Sequence, residues 1–198
     1  MLRDFDADRE RLCAARLMLL FTPELCGARD PLAVLGAAFP HVDVVQVRPK
    51  PLGGAGEAPC DAALVLRWTR AVLELRARLG ASALVLVDDR VDAAELLLAE
   101  GVSGVHLGQD DCPVRIARER LGAGPLVGWS THTLDQVVEA DELPVDYLGF
   151  GPVNATTTKG YARGLGAEAA WIASRASSFP IFPIGGIGRE NAQELARV

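Results

Sequence analysis

The sequence lacks the features of a membrane-spanning, nucleic-acid-binding or disulfide-stabilised protein. It has no apolar run of 18 residues, and its acidic N-terminus has no apolar core of the length a signal peptide needs. The net charge is −6 and no basic stripe is present, which disfavours a surface for nucleic-acid phosphates. The four cysteines are widely spaced without a Cys-x-x-Cys pair, so neither a zinc site nor a disulfide framework is indicated. We expect a cytoplasmic protein that binds a small molecule, with no membrane or nucleic-acid partner.

The sequence does contain enough apolar residues for a sizeable core, and they fall in a regular alternation of strand and helix patterns. A hydrophobic content of 49% over 198 residues fits one domain spanning 1–198, with a surface helix at about 1–15. Strands are predicted at 17–21, 43–47, 83–87, 104–107, 126–129, 146–150 and 181–184. Helices are predicted at 31–38, 61–79, 91–99, 113–121, 134–140, 167–175 and from 190 onwards. Short apolar strands that alternate with helices predict a parallel sheet and the α/β class.

Polar residues gather just after the carboxyl ends of these strands. They are Gln46 to Lys50, Asp88 to Arg90, His106 with Gln109 to Asp111, Ser130 to His132, Thr156 to Lys159, and Gly185 with Gly186. Each group alone has an ordinary explanation, such as a helix cap, a solvated edge or a core histidine. In a TIM (β/α)8 barrel, however, the loops after the strands form the active site. Six groups at such positions therefore favour a barrel with its active site on that rim.

The most informative stretch runs from 146 to 166, where a predicted strand leads into a loop rich in threonine and glycine. Thr156, Thr157 and Thr158 supply hydroxyl groups and Lys159 supplies a compact ammonium. This set suits an anionic ligand held by several hydrogen bonds and one mobile charge. The alternative is a solvated loop of the kind that connects most elements.

The other polar groups suit a diphosphate. Arg48, Lys50 and Lys159 are cations for its oxygens, and Arg48 offers bidentate geometry. Asp89 and Asp111 are hard carboxylate ligands of the kind that hold Mg²⁺ on diphosphate oxygens. The sequence offers no convincing general base. This favours a reaction whose rate comes mainly from stabilising the charge of a leaving group.

Six motifs together resemble the thiamine phosphate synthase (thiamine-phosphate pyrophosphorylase) family, which is related to the thiazole tautomerases. They are QVRPK, VDDRVDAA, GVHLGQDD, GWSTHT, GPVNATTTKG and PIGGI, and the resemblance spans 17–198. The family implies the joining of hydroxymethylpyrimidine diphosphate to hydroxyethylthiazole phosphate, with release of diphosphate and formation of thiamine phosphate. It also implies Mg²⁺ as the cofactor.

The resemblance implies a role for each matching residue. It implies catalytic roles for Arg48, Lys50 and Lys159. It places these three, with Gln46, Asp88 and Ser130, at the pyrimidine diphosphate. It places Thr156, Thr157, Thr158 and Gly186 at the thiazole phosphate, and Asp89 and Asp111 on Mg²⁺. The implied mechanism is dissociative: diphosphate leaves, the aminopyrimidine stabilises the methylene cation, and the thiazole nitrogen attacks.

The sequence departs from the family pattern at three points. Asp88 stands where the family has an asparagine, so an acceptor-only carboxylate replaces an amide and should repel diphosphate. Pro49 replaces an acidic residue and fixes the backbone between Arg48 and Lys50. The chain ends in the seventh βα unit, so we expect a barrel without its eighth strand. Either the sequence is a shortened product, or a partner, an oligomer or a rearranged N-terminal segment covers the gap.

Two other functions stay open at this point. One is a thiazole tautomerase-like isomerase on the same barrel, although such an enzyme would not need the residues assigned to diphosphate. The other is a non-catalytic protein that binds thiazole phosphate or thiamine phosphate, which Asp88 and the missing eighth unit favour.

Overall fold

A computed structural model describes residues 4–50, 61–156 and 163–196. Over these residues, strands and helices alternate from the first strand onwards. The strands are β1 (Met18–Phe21), β2 (Val44–Val47), β3 (Leu84–Asp88), β4 (Gly104–Leu107), β5 (Leu126–Thr131), β6 (Tyr147–Phe150) and β7 (Ile181–Pro183). The α-helices are α1 (Phe5–Ala14), α2 (Pro31–Ala38), α3 (Ala62–Leu79), α4 (Val91–Leu97), α5 (Val114–Leu121), α6 (Leu134–Glu139), α7 (Ala167–Ala176) and α8 (Ala192–Leu195).

The chain forms two compact units. The first comprises Met1–His106 with Glu119–Leu126, and the second comprises Leu107–Arg118 with Val127–Val198. In the first unit β1, β2, β3 and β4 pair in parallel and in chain order, and in the second unit β5, β6 and β7 do the same. The predicted α/β class, with parallel strands that alternate with helices, is confirmed. The single domain predicted over 1–198 stays a prediction.

The strands form where the sequence has short, continuous apolar runs. All four residues of β2 and all five of β3 are buried, which is the pattern of strands covered on both faces. Helix α3 has defined signals at both ends. Asp61 caps its start by accepting a hydrogen bond from the Ala63 N–H at 3.0 Å. Gly80 ends it with a left-handed backbone at φ 60°, a conformation that glycine adopts without strain.

Most predicted boundaries lie within one or two residues of the observed ones, but two predictions need correction. The N-terminal helix runs over Phe5–Ala14 rather than 1–15, because Asp4 caps it by accepting from the Ala7 N–H at 3.1 Å. Strand β5 continues to Thr131 rather than 129, because its backbone stays paired with β6. Ser130 therefore lies inside a strand and not in the loop after it.

Two further observations concern the length of the helices and the state of the cysteines. Within 4–50, 61–156 and 163–196, no helix combines the length and the apolar character needed to cross a membrane. Cys13, Cys26 and Cys112 are free thiols. Cys60 lies outside the described residues.

Candidate functional site

Four charged side chains meet at the carboxyl ends of β2 and β3: Arg48, Lys50, Asp88 and Asp89. We call them the charged cluster. Val47 of β2 pairs with Val87 of β3, so Arg48 and Asp88 follow in register at the ends of neighbouring strands. Arg48 Nε lies 3.1 Å from Asp88 Oδ2, and Lys50 Nζ lies 3.0 Å from Asp89 Oδ2 and 4.0 Å from Asp88 Oδ2. Two of the three cations predicted to meet a diphosphate, Arg48 and Lys50, are thus paired with two carboxylates of the same unit.

Asp88 is the buried member of the two carboxylates. It is 6% exposed, and its Oδ1 accepts a hydrogen bond from Gln46 Nε2. Its Oδ2 accepts no hydrogen bond, although Arg48 Nε is close enough for an ion pair. Burial raises the pKa of Asp88 from 3.8 to about 7, and the neighbouring Asp89 charge adds to the rise. Arg48, Lys50 and Gln46 act in the opposite direction, but the loss of water around the carboxylate outweighs them.

Asp89 differs from Asp88 in backbone and in exposure. Its φ is 60°, a left-handed conformation that non-glycine residues rarely adopt and that is often found at functional sites. The Asp89 N–H donates to His106 O at 2.8 Å, which anchors the turn to β4. The Asp89 side chain is 23% exposed and pairs with Lys50. The turn therefore places consecutive carboxylates in different environments, Asp88 in the interior and Asp89 towards solvent.

The second unit contains Asp111 in a tight turn after β4. Asp111 Oδ2 accepts from the Gly108 N–H at 2.6 Å and closes this turn. Within it, Gln109 Nε2 donates to Ser130 O at 2.5 Å. Ser130, a predicted ligand of the pyrimidine diphosphate, is buried near the end of β5. The structure thus brings the Asp111 turn next to the Ser130 backbone.

Two loops of the second unit lie side by side, one after β6 and one after β7. The Val153 N–H donates to Ile184 O at 2.8 Å, and the Asn154 N–H donates to Gly185 O at 3.0 Å. Gly186 has φ 60°, and a Cβ there would lie 2.5 Å from Ala155 O, so no larger residue fits without movement.

These contacts bring together the two predicted thiazole phosphate residues that the structure describes. Gly186 packs against the residue that precedes Thr156. The other predicted residues of this loop, Thr157, Thr158 and Lys159, lie outside the described residues.

His132 follows β5 and connects it to the β6 loop. Its backbone N–H donates to Gln136 Oε1 at 2.7 Å, and its Nδ1 is 2.5 Å from Gly151 O. A carbonyl oxygen can only accept a hydrogen bond, so Nδ1 carries a proton and the neutral tautomer has its lone pair on Nε2. The next residue, Thr133, caps α6 by accepting a hydrogen bond from the Gln136 N–H.

Glu24 is one residue of this region that the sequence analysis did not identify. It lies in a short 3-10 helix, Pro23–Cys26, directly after β1. Its Oε2 accepts a hydrogen bond from the Lys50 N–H at 3.1 Å. Its position just after the predicted strand 17–21 could have identified Glu24, because the other polar groups were selected by the same position after a strand.

Over the described residues, seven parallel strands in chain order, with charged and polar residues at their carboxyl ends, define a protein of the α/β class with the strand order of a (β/α) barrel. Comparison with known proteins narrows this class. The chain matches the family TMP-TENI, described as thiamine monophosphate synthase, over residues 17–198, and it belongs to this family.

Several known proteins of this kind are similar to the chain. A thiamine-phosphate synthase from Albidiferax ferrireducens is 38% identical over 187 residues, which cover 93% of this chain and 80% of that protein. A thiamine-phosphate synthase from a Synechococcus species is 47% identical over 113 residues, which cover 57% of this chain and 31% of that protein.

The structure of thiamine phosphate pyrophosphorylase from Pyrococcus furiosus matches with a TM-score of 0.73 and 26% identity, over 96% of this chain and 82% of that one. The chain spans about half or less of the length of the Synechococcus and Prochlorococcus relatives that it matches.

Proposed function

We propose that the chain is a transferase that joins hydroxymethylpyrimidine diphosphate to hydroxyethylthiazole phosphate, giving thiamine phosphate and diphosphate. The observation that carries the proposal is the charged cluster, in which Arg48 and Lys50, after β2, pair with Asp88 and Asp89 at the end of the neighbouring strand β3. Family membership over residues 17–198 and the relatives named thiamine-phosphate synthase support the same reaction.

The first unit supplies the groups for the pyrimidine diphosphate. Arg48 offers a planar fork of donors and Lys50 a point charge, both suited to diphosphate oxygens. Asp88 and Asp89 pair with these cations in the structure. Binding therefore exchanges internal ion pairs for contacts to diphosphate. Lys50, whose side chain is 19% exposed, is the more accessible of the two cations.

Asp88 contributes to this exchange through Arg48. It is buried against the guanidinium and holds Gln46 by a hydrogen bond, so it fixes the side chains of two proposed diphosphate ligands. Its charge also competes with the diphosphate for Arg48. Asp88 thus orders the site and weakens its attraction for anions.

Asp89 fits a role as a Mg²⁺ ligand. Mg²⁺ is held in such sites by one or two carboxylates, with waters and substrate phosphates in the other positions. Among the described residues, no group of three or more His, Cys, Asp or Glu side chains is placed to hold a metal ion. Asp89 presents a partly exposed carboxylate in the first unit, and Asp111 is the corresponding candidate in the second. When bound, Mg²⁺ would neutralise charge on the diphosphate oxygens.

The second unit supplies the proposed thiazole phosphate site. Thr156 and Gly186 lie on the paired loops after β6 and β7, and we assign the hydroxyls of Thr157 and Thr158 to the same phosphate. Ser130 and Lys159 are assigned to the pyrimidine diphosphate. Small residues and backbone N–H groups at these loops allow an anion to approach the chain closely.

The proposed chemical step needs little proton transfer by the protein. The bond to diphosphate breaks first, and the charge that develops on the departing group is stabilised by Arg48, Lys50 and Lys159. The remaining residues hold the two substrates in the orientation for attack by the thiazole nitrogen.

A coupling assay tests this function. The protein is incubated with both substrates and Mg²⁺, and thiamine phosphate and released diphosphate are measured. We expect equal amounts of the two products and a large loss of activity in Lys50→Ala. Arg70→Ala is the matched control, since it removes one cation from an exposed pair with Glu100. No thiamine phosphate from the wild-type protein would refute the proposal.

An isomerase acting on the thiazole phosphate is the second candidate, and His132 is the observation that favours it. Moving a double bond requires a group that accepts and returns a proton, and a histidine with its lone pair on Nε2 can do so. This function would be supported if the protein converts thiazole phosphate tautomers in the absence of the pyrimidine substrate. The conversion should then be lost in His132→Asn. Binding of thiamine phosphate without either reaction would identify a non-catalytic protein.

A further inference from the structure

The segment that contains Arg48 and Lys50 is held along its backbone from the side of β1. The Arg48 N–H donates to Phe21 O at 2.8 Å, which continues the parallel ladder one step past β2. The next such donor is the Lys50 N–H, and it donates to the Glu24 carboxylate at 3.1 Å. Strand β1 has already ended there, so the Glu24 side chain takes the place of the next backbone carbonyl.

Pro49 lies between the two hydrogen-bonded residues and adds no backbone donor of its own. Proline has no N–H, and its ring fixes φ near the value of extended chain. The only backbone N–H donors from 48 to 50 are therefore those of Arg48 and Lys50, and both donate hydrogen bonds. In extended chain, residues i and i+2 point to the same side. These two backbone hydrogen bonds therefore direct both side chains to the consecutive carboxylates after β3: Arg48 pairs with Asp88, and Lys50 lies 3.0 Å from Asp89 and 4.0 Å from Asp88.

We propose that Glu24 is a positioning residue for Lys50: by accepting the Lys50 N–H it holds the ammonium where a diphosphate binds. This inference rests on the proposed function and extends it to a residue outside the six motifs. A carboxylate close to an anion site is unfavourable on charge alone. Its hydrogen bond, which is strengthened by the negative charge, is the feature that serves binding.

Two variants of matched size separate hydrogen bonding from charge. Glu24→Gln removes the charge and keeps an oxygen that can accept from Lys50 N–H. Glu24→Met removes the charge and the oxygen. We expect Glu24→Met to raise KM for the pyrimidine diphosphate and Kd for inorganic diphosphate roughly tenfold, the size of losing one charge-assisted hydrogen bond. Glu24→Gln should stay within about twofold of the wild type in both quantities, because its oxygen retains a weaker hydrogen bond while the anion is no longer repelled by a carboxylate.

Kinetics, calorimetry with inorganic diphosphate and thermal unfolding are measured on all variants. Glu100→Met is the control, since it removes a carboxylate from an exposed surface pair. A lower Tm with unchanged KM and Kd in Glu24→Met would overturn the proposal, because the role would then be structural only. Equal impairment in Glu24→Gln and Glu24→Met would also overturn it, since charge alone would be responsible.

The diphosphate titration keeps this test separate from the proposed reaction. If the wild-type protein forms no thiamine phosphate, the proposed function fails, but Kd for diphosphate still reports on Glu24. If turnover is normal and Kd does not change in Glu24→Met, the inference about Glu24 fails and the proposed function stands.

Discussion

Replacing Asp88 by asparagine perturbs the electrostatics of the charged cluster with little change in shape. Asparagine has the same size, and its Oδ1 can still accept the hydrogen bond from Gln46. What it removes is the negative charge 3.1 Å from Arg48 and 4.0 Å from Lys50. The variant therefore tests whether the ionised carboxylate is favourable in the folded protein.

The structure predicts that the ionised carboxylate of Asp88 destabilises the folded protein, and that the size of this destabilisation depends on pH. Burial raises the pKa of Asp88 from 3.8 to about 7, so between these values the folded protein keeps a proton that the unfolded chain has released. The free energy of unfolding of the wild type therefore falls as pH rises through this window. One pKa unit is worth about 1.4 kcal/mol, so the total is about 4 kcal/mol. Asparagine does not titrate, so the free energy of unfolding of Asp88→Asn lacks this decrease.

Denaturant unfolding of both proteins from pH 4 to pH 8 measures the difference, in buffer with a chelator. We expect Asp88→Asn to gain stability relative to the wild type as pH rises, by about 4 kcal/mol over the range. A wild type that gains relative stability as pH rises would refute the reasoning, because Arg48 and Lys50 would then hold the carboxylate ionised. Asp92→Asn, which removes an acid paired with Arg90, is a surface control.

The same variant should bind anions more tightly. With the charge of Asp88 gone, Arg48 and Lys50 lose a competing buried carboxylate, which is worth at least on the order of 1 kcal/mol. Calorimetry with inorganic diphosphate should therefore show an affinity several-fold higher at pH 8. Unchanged or weaker binding would contradict this.

Three further predictions concern other parts of the chain. Asp111→Ala should abolish turnover and weaken Mg²⁺ binding with a native circular dichroism spectrum, and full activity in excess chelator would contradict the metal role. Lys159→Ala should lower kcat roughly 100-fold or more, as loss of a preorganised charge does, whereas Thr156→Ala should mainly raise KM for thiazole phosphate. If both variants behave like the wild type in steady-state kinetics, this loop is not in the active site. Gly128→Ala should lower the free energy of unfolding by about 1–3 kcal/mol, because overpacked cores are strained. Its Cβ would lie 2.0 Å from Tyr147 Cζ, and an unchanged denaturation midpoint would refute this contact.

Several features of the fold could be predicted because their causes lie close together in the sequence. The apolar runs that became β2 and β3 are continuous, and the caps of α3 at Asp61 and Gly80 lie at its ends. Strand and helix periodicity depend on neighbouring residues, so the alternation of strands and helices was predictable. The clustering of Gln46, Arg48 and Asp88 also followed, since parallel strands end on the same edge of a sheet.

The environments of the site residues could not be predicted in this way. The sequence shows Asp88 and Asp89 as two adjacent carboxylates, whereas the turn at φ 60° leaves one in the interior and the other partly in solvent. Glu24 is 26 residues from Lys50 in the sequence, and only the pairing of β1 with β2 brings them together. The roles of Thr157, Thr158 and Lys159 still rest on the sequence.

The sequence by itself determined the strands, the helices and the set of polar residues at the strand ends, because local periodicity and capping depend on neighbours along the chain. Tertiary structure alone decided which carboxylate is buried, which cation it pairs with and which side chain holds the Lys50 backbone. These properties depend on burial and on distances between segments far apart in the sequence. Both the desolvation of a charge and its interaction with another charge vary steeply with these quantities.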